Sequence, residues 1–350
     1  MPATYWLFYL ILGLGTTIVC FSSNWLFSWI GLEMNSFAFI PLMMQNNHPR
    51  STEAATKYFI IQSCASALLL FAAIFNAWVL SKWNIPFMRN EIALTITTVA
   101  LATKLGVAPF HLWLPEVMQG LNFKMGLILA TWQKLAPLMI LTQISHAVQP
   151  PFLTVTAILS SILAGWAGMN QTQVRKILAY SSTANLGWMI IIIQYKPSLT
   201  LLTLLVYIIS TTTTFLLLKE SLSMKINALA LSWSKSTAMA VILALAFLSM
   251  AGLPPLTGFL PKWLILQEMI KQHMTLPATL ITISTLISLY FYVRLCYFII
   301  ITLFPGVSKM KFSWRRKSKQ NKIILATAAT IATVFLPLAP LLYALVNCSI

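Results

Sequence analysis

The chain has 350 residues, 59% of them hydrophobic and only 8% charged, with a mean hydropathy of +0.82. Soluble domains carry about 25% charged residues, so this composition describes a polytopic membrane protein. The formal charge of +17 is spread through loops between apolar runs rather than gathered on a folded domain, which argues against nucleic acid as a partner.

About 20 apolar residues cross the hydrocarbon core as a helix. On that ruler the chain reads as all-α, with about 11 transmembrane helices. They run approximately over 3–21, 25–44, 56–80, 91–120, 125–145, 152–169, 174–195, 199–218, 237–269, 277–304 and 323–345. The N-terminal stretch lacks the basic region of a signal peptide and the Arg-rich pattern of an organellar presequence, so it reads as the first span itself.

Two spans are interrupted. In the fourth, ATKLGVAPFHLWLPE places Gly106, Pro109, Leu114 and Pro115 at the same relative spacing as Gly252, Pro255, Leu260 and Pro261 of AGLPPLTGFLPKW in the ninth. Lipid cannot satisfy backbone groups freed by a proline, so a broken span must line protein or internal water. Paired interrupted segments point to a transport path built from inverted repeats. The expected organisation is therefore two inverted five-helix repeats, 1–146 and 150–304, each with a broken fourth helix. A basic loop and a C-terminal transmembrane helix, 305–350, follow.

Loop charges set the expected orientation. Fifteen Lys and Arg fall on the side that holds the N-terminus and four on the other, which puts the N-terminus in the cytoplasm or its organellar equivalent. Four basic residues remain within spans: Lys104, Lys134, Lys262 and Arg294. An ionisable group at mid-span costs roughly 2.5–3.5 kcal/mol and is by default a sign of function. Glu33 lies mid-span beside them in SWIGLEMNSFAF. Burial and a neighbouring carboxylate act in opposite directions on a lysine's hold on its proton, so Glu33, Lys104, Lys134 and Lys262 are the candidates for proton transfer. The alternatives are structural ion pairs or lysines that snorkel along their stems.

His111, at the first break, is a candidate relay, or else a polar plug for broken-helix carbonyls. Arg294 is expected to snorkel or to contact headgroups, and Glu116 to form an interfacial pair near Lys124. The polar runs Ser181–Asn185 and Ser210–Thr214 suit water lining or helix packing, packing being favoured. The basic run before the last span suits anionic lipid or a partner. The scattered Cys20, Cys64, Cys296 and Cys348 offer neither a disulfide framework nor metal ligation. No nucleotide-binding glycine motif occurs, so no redox cofactor is expected on this chain.

In order, TKLGVAPFHLWLPEV, ATWQKLAPL, QTQVRKILAYSSTANLGWM and LSMAGLPPLTGFLPKW resemble the antiporter-like membrane subunits of NADH:ubiquinone oxidoreductase (respiratory complex I), specifically the mitochondrial subunit 2 group. The similarity covers essentially the whole chain, and eleven spans rather than fourteen resemble the shortened animal form. The resemblance implies a proton-translocating translocase module in the mitochondrial inner membrane. Its N-terminus would lie in the matrix and its C-terminus in the intermembrane space. NADH, FMN, iron–sulfur clusters and ubiquinone would belong to other subunits. It further implies Glu33 and Lys104 as a charged pair, Lys134 as the connecting residue and Lys262 as the terminal donor. Implied partners are other membrane-arm and accessory subunits, and lipids with cardiolipin among them. A stand-alone cation/proton antiporter and a non-pumping scaffold are the competing readings.

Overall fold

A computed structural model describes residues 2–45, 48–230, 232, 237–300 and 323–334, and every regular element among them is helical. Helices satisfy their own backbone hydrogen bonds, which lipid cannot do. Among the described residues, seven helical stretches are long and apolar enough to span a bilayer: Thr4–Phe21, Trp25–Met43, Pro49–Leu80, Phe123–Ile144, Pro150–Met169, Pro197–Ser221 and Thr275–Ile300. The basic run Lys309–Lys322 and the end of the expected last span lie outside the described residues. Residue contacts divide the chain into two units, Met1–Ser160 and Ser161–Ile350.

In the first unit, α1 (Pro2–Phe21) packs on α2 (Trp25–Met43), and α2 on α3 (Pro49–Leu80). The α1–α2 crossing is close because Gly15 and Gly31 face each other there, and a Cβ on Gly15 would come within 2.9 Å of Gly31 O. The third helix begins earlier than the expected residue 56. Pro49 occupies its first turn, and His48 closes a capping box by accepting from Arg50 N at 3.1 Å while Ser51 serves the His48 backbone. Along α3 the residues Tyr58, Gln62, Ala65, Leu69, Ala72 and Asn76 recur at helical spacing and are buried.

Next come α4 (Glu91–Leu105), capped by the Asn90 side chain on Ile92 N at 3.1 Å, and α5 (Trp113–Gly120); both pack on α3. The expected fifth span is itself interrupted. It consists of α6 (Phe123–Ala130) and α7 (Trp132–Ile144), joined at Thr131, whose backbone departs from the helix at φ −114° and ψ −68°, although the two together still span Phe123–Ile144 as one apolar stretch. The division between the units falls within α8 (Pro150–Met169).

The second unit contains α9 (Val174–Ile192), α10 (Pro197–Ser221), the short α11 (Ile226–Ala230), α12 (Thr237–Ala251), α13 (Phe259–Lys271), α14 (Thr275–Ile300) and α15 (Ile323–Val334). Here α10 is central and packs against α9, α12, α13 and α15, while α14 closes on α9, α12 and α13. Hydroxyl side chains are frequent on these apolar helices because they donate to carbonyls one turn back. Thr203 reaches Thr200 O at 2.8 Å and Thr213 reaches Ser210 O at 2.7 Å.

Candidate functional site

The two breaks close in the same way. At the end of α4, Gly106 turns left-handed with φ +74°; its amide bonds Ala102 O at 2.9 Å, and the Val107 amide bonds the same carbonyl at 3.0 Å. At the end of α12, Gly252 has φ +85°; its amide bonds Leu248 O at 3.2 Å, and the Leu253 amide bonds Leu248 O at 3.4 Å. This is the glycine-terminated helix end that satisfies carbonyls left over by an interruption. The equal spacing in sequence thus corresponds to the same pattern of closing bonds at the two helix ends.

At the first break, side chains also reach the carbonyls of the last turn, and Thr103 O accepts from the Gly106 amide at 3.2 Å as well. Trp113 Nε1 donates to Thr103 O at 3.0 Å, and Gln62 Nε2 lies 3.5 Å from Lys104 O. A cavity of about 10 Å³, the size for a single water, lies beneath. Its walls include Tyr58, Gln62, Lys104, Gln133 and Lys134, so two of the candidate lysines from separate helices meet one small polar space. They are 6% and 4% exposed, which rules out snorkelling for both.

Glu33, half-buried on α2, accepts from Ser36 Oγ at 3.1 Å and interacts electrostatically with both Lys104 and Tyr58. It is not in direct ion-pair contact with Lys104. The ion pairs among the described residues are Lys57–Glu53, Lys57–Glu116 and Lys271–Glu268. His111 is buried in the break and hydrogen-bonds the Pro109 backbone, and it is not among the residues lining the Lys104–Lys134 cavity.

At the second break, Lys262 is half-buried and its Nζ donates to Ala251 O at 2.8 Å, bridging the two halves of the broken helix. Gly252 is required twice over, by its left-handed backbone and because a Cβ would sit 3.0 Å from both Cδ and Nζ of Lys262. Lys262 opens onto a cavity of about 40 Å³ whose polar lining is Asn185, Thr203, Tyr207, Ser210 and Ser249. At the same break Thr257 Oγ1 donates to Ala332 O of α15 at 2.6 Å.

One expectation is corrected, and another residue gains a protein partner. Glu116 pairs with Lys57 at 2.8 Å rather than with Lys124, because α5 lies along the start of α3; there a Cβ on Gly120 would meet Arg50 O and Ala54. Arg294, part-exposed, has a partner within the protein. Its Nη1 donates to Met169 O at 2.7 Å and closes the C-terminal end of α8.

The polar run Ser181–Asn185 does more than pack helices. Tyr207 hydrogen-bonds Ser182, and Tyr292 hydrogen-bonds Ser181 and Asn185. Residue pattern alone missed these tyrosines, as well as Gln62 and Gln133. Polar side chains within apolar runs were the available signal for the glutamines, whereas the tyrosines looked like ordinary packing residues. Among the described residues, no cluster of three or more His, Cys, Asp or Glu could hold a metal ion.

Residues 22–288 match the family model for the membrane part of NADH:quinone oxidoreductase and Mrp antiporters, and 289–343 match the C-terminal part of NADH dehydrogenase subunit 2. The chain is 53% identical to NADH-ubiquinone oxidoreductase chain 2 of Scyliorhinus canicula, covering 96% of this chain and 97% of that one. It is 52% identical to the chain of the same name from Cyprinus carpio, over 94% of each. A chain of respiratory complex I from Thermus thermophilus superposes with a TM-score of 0.82 at 25% identity, over 98% of this chain and 79% of that one. The chain therefore belongs to the membrane-embedded NADH:quinone oxidoreductase/Mrp antiporter family, among the proteins named NADH-ubiquinone oxidoreductase chain 2.

Proposed function

We propose that this chain moves protons across the membrane as a membrane-arm subunit of NADH:ubiquinone oxidoreductase, driven by electron transfer that other subunits carry out. The observation that carries this reading is the meeting of Lys104 and Lys134 at one small buried cavity beside a glycine-terminated helix break, with Glu33 acting on Lys104 from α2. A buried ammonium separated from its carboxylate by more than contact distance responds to small movements of either group or of intervening water, and so can alternately hold and release a proton. Lys262, anchored to Ala251 O at the second break, is the corresponding carrier on the other cavity. His111, bonded to Pro109, stands at the first break as a further candidate relay.

The same reading places the chain in the mitochondrial inner membrane, with its N-terminus on the matrix side, other membrane-arm and accessory subunits around it, and anionic lipid near its basic loop. The redox cofactors belong to those other subunits. The matched closing bonds at Gly106 and Gly252 support two inverted five-helix repeats within about eleven crossings.

Glu33→Gln tests the assignment, because it removes charge while keeping volume. In the assembled complex it should lower the number of protons moved per NADH oxidised more than it lowers the amount of complex. Loss of assembly with a normal ratio in the surviving complex would make Glu33 structural.

A further inference from the structure

Between the end of α12 and the start of α13 the chain runs from Gly252 to Gly258 through Pro254 and Pro255, and two neighbouring residues tie this short segment down in different directions. Gly258 presses on α12: a Cβ there would overlap Ser249 O and stand 3.6 Å from Gly252 Cα. Thr257 reaches the other way. Its hydroxyl lies 2.6 Å from Ala332 O, 75 residues along the chain, and the two residues are 4% and 1% exposed. A carbonyl only accepts, so the hydroxyl is the donor.

Serines and threonines of apolar helices donate to carbonyls of their own preceding turn, as Ser249 does to Ala246 O at 2.8 Å. Thr257 has no helix before it, since α13 begins at Phe259, and its proton goes to α15 instead. Its own carbonyl accepts from Leu260 N at 3.3 Å and opens α13. Ala332 O has two lone pairs, so it can take this bond in addition to a helical one. Counted from the glycine, Thr257 occupies the place that His111 holds at the first break. One break thus carries an imidazole where the other carries a hydroxyl that holds a further helix.

Among the described residues, α15 lines no part of the Lys262 cavity, yet it packs on α10 and α12, which supply Tyr207, Ser210 and Ser249 to the cavity wall. Gly258 lines the same cavity, and Lys262 follows on the first turn of α13, with Nζ reaching back to Ala251 O at 2.8 Å. That reach is set by how the start of α13 sits against the end of α12. Thr257 fixes the seat to α15, and Gly258 fixes it to Ser249. Proton transfer is sensitive to such placement, since moving a reacting group by an ångström can cost on the order of 100-fold in rate.

We propose that Thr257 is a positioning residue for proton transfer at Lys262 and that α15 is the strut it bonds to, so that the last helix takes part in pumping without touching the cavity. This rests on the reading of Lys262 as a proton carrier.

The test uses the intact complex in sealed vesicles, reading protons moved per NADH oxidised, with native gels and uncoupled NADH oxidation as the check on assembly. Lys262→Met defines the share of pumping that depends on Lys262. Thr257→Val keeps the branched shape and loses the hydroxyl. It should remove at least half of that share in a complex that assembles, and on the Lys262→Met background it should remove nothing further. Thr257→Ser, which keeps the hydroxyl and loses the methyl group, should pump as the unaltered complex does.

A threonine that only fills space would give the opposite order, with valine tolerated and serine not. If Lys262→Met lowers the ratio while Thr257→Val leaves it at the wild-type value, the positioning role is overturned and the Lys262 reading stands. If Lys262→Met itself leaves the ratio unchanged, both fall. Should Thr257→Val fail to assemble, Thr257→Ala and Thr257→Ser, which differ by one oxygen, decide in its place: equal ratios overturn the role, and a lower ratio in the alanine variant alone upholds it.

Discussion

Replacing Gly252 by alanine probes the link between backbone and ammonium at the second break. The left-handed φ of +85° costs an L-residue about 1–2 kcal/mol. The new Cβ would also lie 3.0 Å from Lys262 Cδ and Nζ and 3.2 Å from Cε, so the side chain must swing away from Ala251 O, to which Nζ donates at 2.8 Å. Losing a hydrogen bond from a charged donor costs about 1.5–3 kcal/mol more.

The two costs separate in a double-mutant cycle with Lys262→Ala, which removes the crowding but not the backbone strain. Gly252→Ala alone should reduce both the yield of assembled complex and the proton-to-NADH ratio. On the Lys262→Ala background it should leave the ratio where Lys262→Ala had already put it, and the further loss of yield should be smaller. Native gels measure the yield, and pH-sensitive dye in sealed vesicles measures the ratio. A Gly252→Ala complex with a normal ratio, or one that lowers the ratio further when Lys262 is already gone, would refute the coupling.

Other outcomes follow from the same geometry. Gly15→Leu should abolish assembly, because α2 backbone stands within 2.9 Å of a Cβ there, whereas Gly13→Leu should assemble normally, since nothing lies within 4 Å; immunoblots of native gels would show the contrast. Trp113→Phe should destabilise the first break by about 1–2 kcal/mol, by leaving Thr103 O without its indole donor, and should shorten the half-life of activity on heating. Lys57→Met should leave the pumping ratio unchanged and lower thermal stability only slightly, with the difference shrinking in high salt, because its pairs with Glu53 and Glu116 are about half exposed.

The amino-acid pattern made the helical class and the breaks legible, because both are local or one-dimensional properties. Gly106 and Gly252 announce themselves by spacing, and a glycine before a proline in a lipid-spanning run admits few backbone outcomes. Glu33, Lys104 and Lys134 stood out because charge is rare in apolar spans. Partner identity was not legible in the same way. Nothing in the order of residues says that Glu116 meets Lys57 rather than Lys124, or that Arg294 reaches Met169 O from a helix far along the chain. The kink at Thr131 also escaped notice, since its altered backbone angles leave no mark on a residue type common in helices. The Tyr207 and Tyr292 contacts with α9 depend on a helix packing that periodicity does not encode.

The most direct test is the proton-to-NADH ratio of a fully assembled complex in which Lys104 is replaced by methionine, similar in length but without charge. A lowered ratio, with uncoupled electron transfer retained, is the result expected if the buried cavity shared by Lys104 and Lys134 carries protons. A ratio equal to that of the unaltered complex would contradict that role.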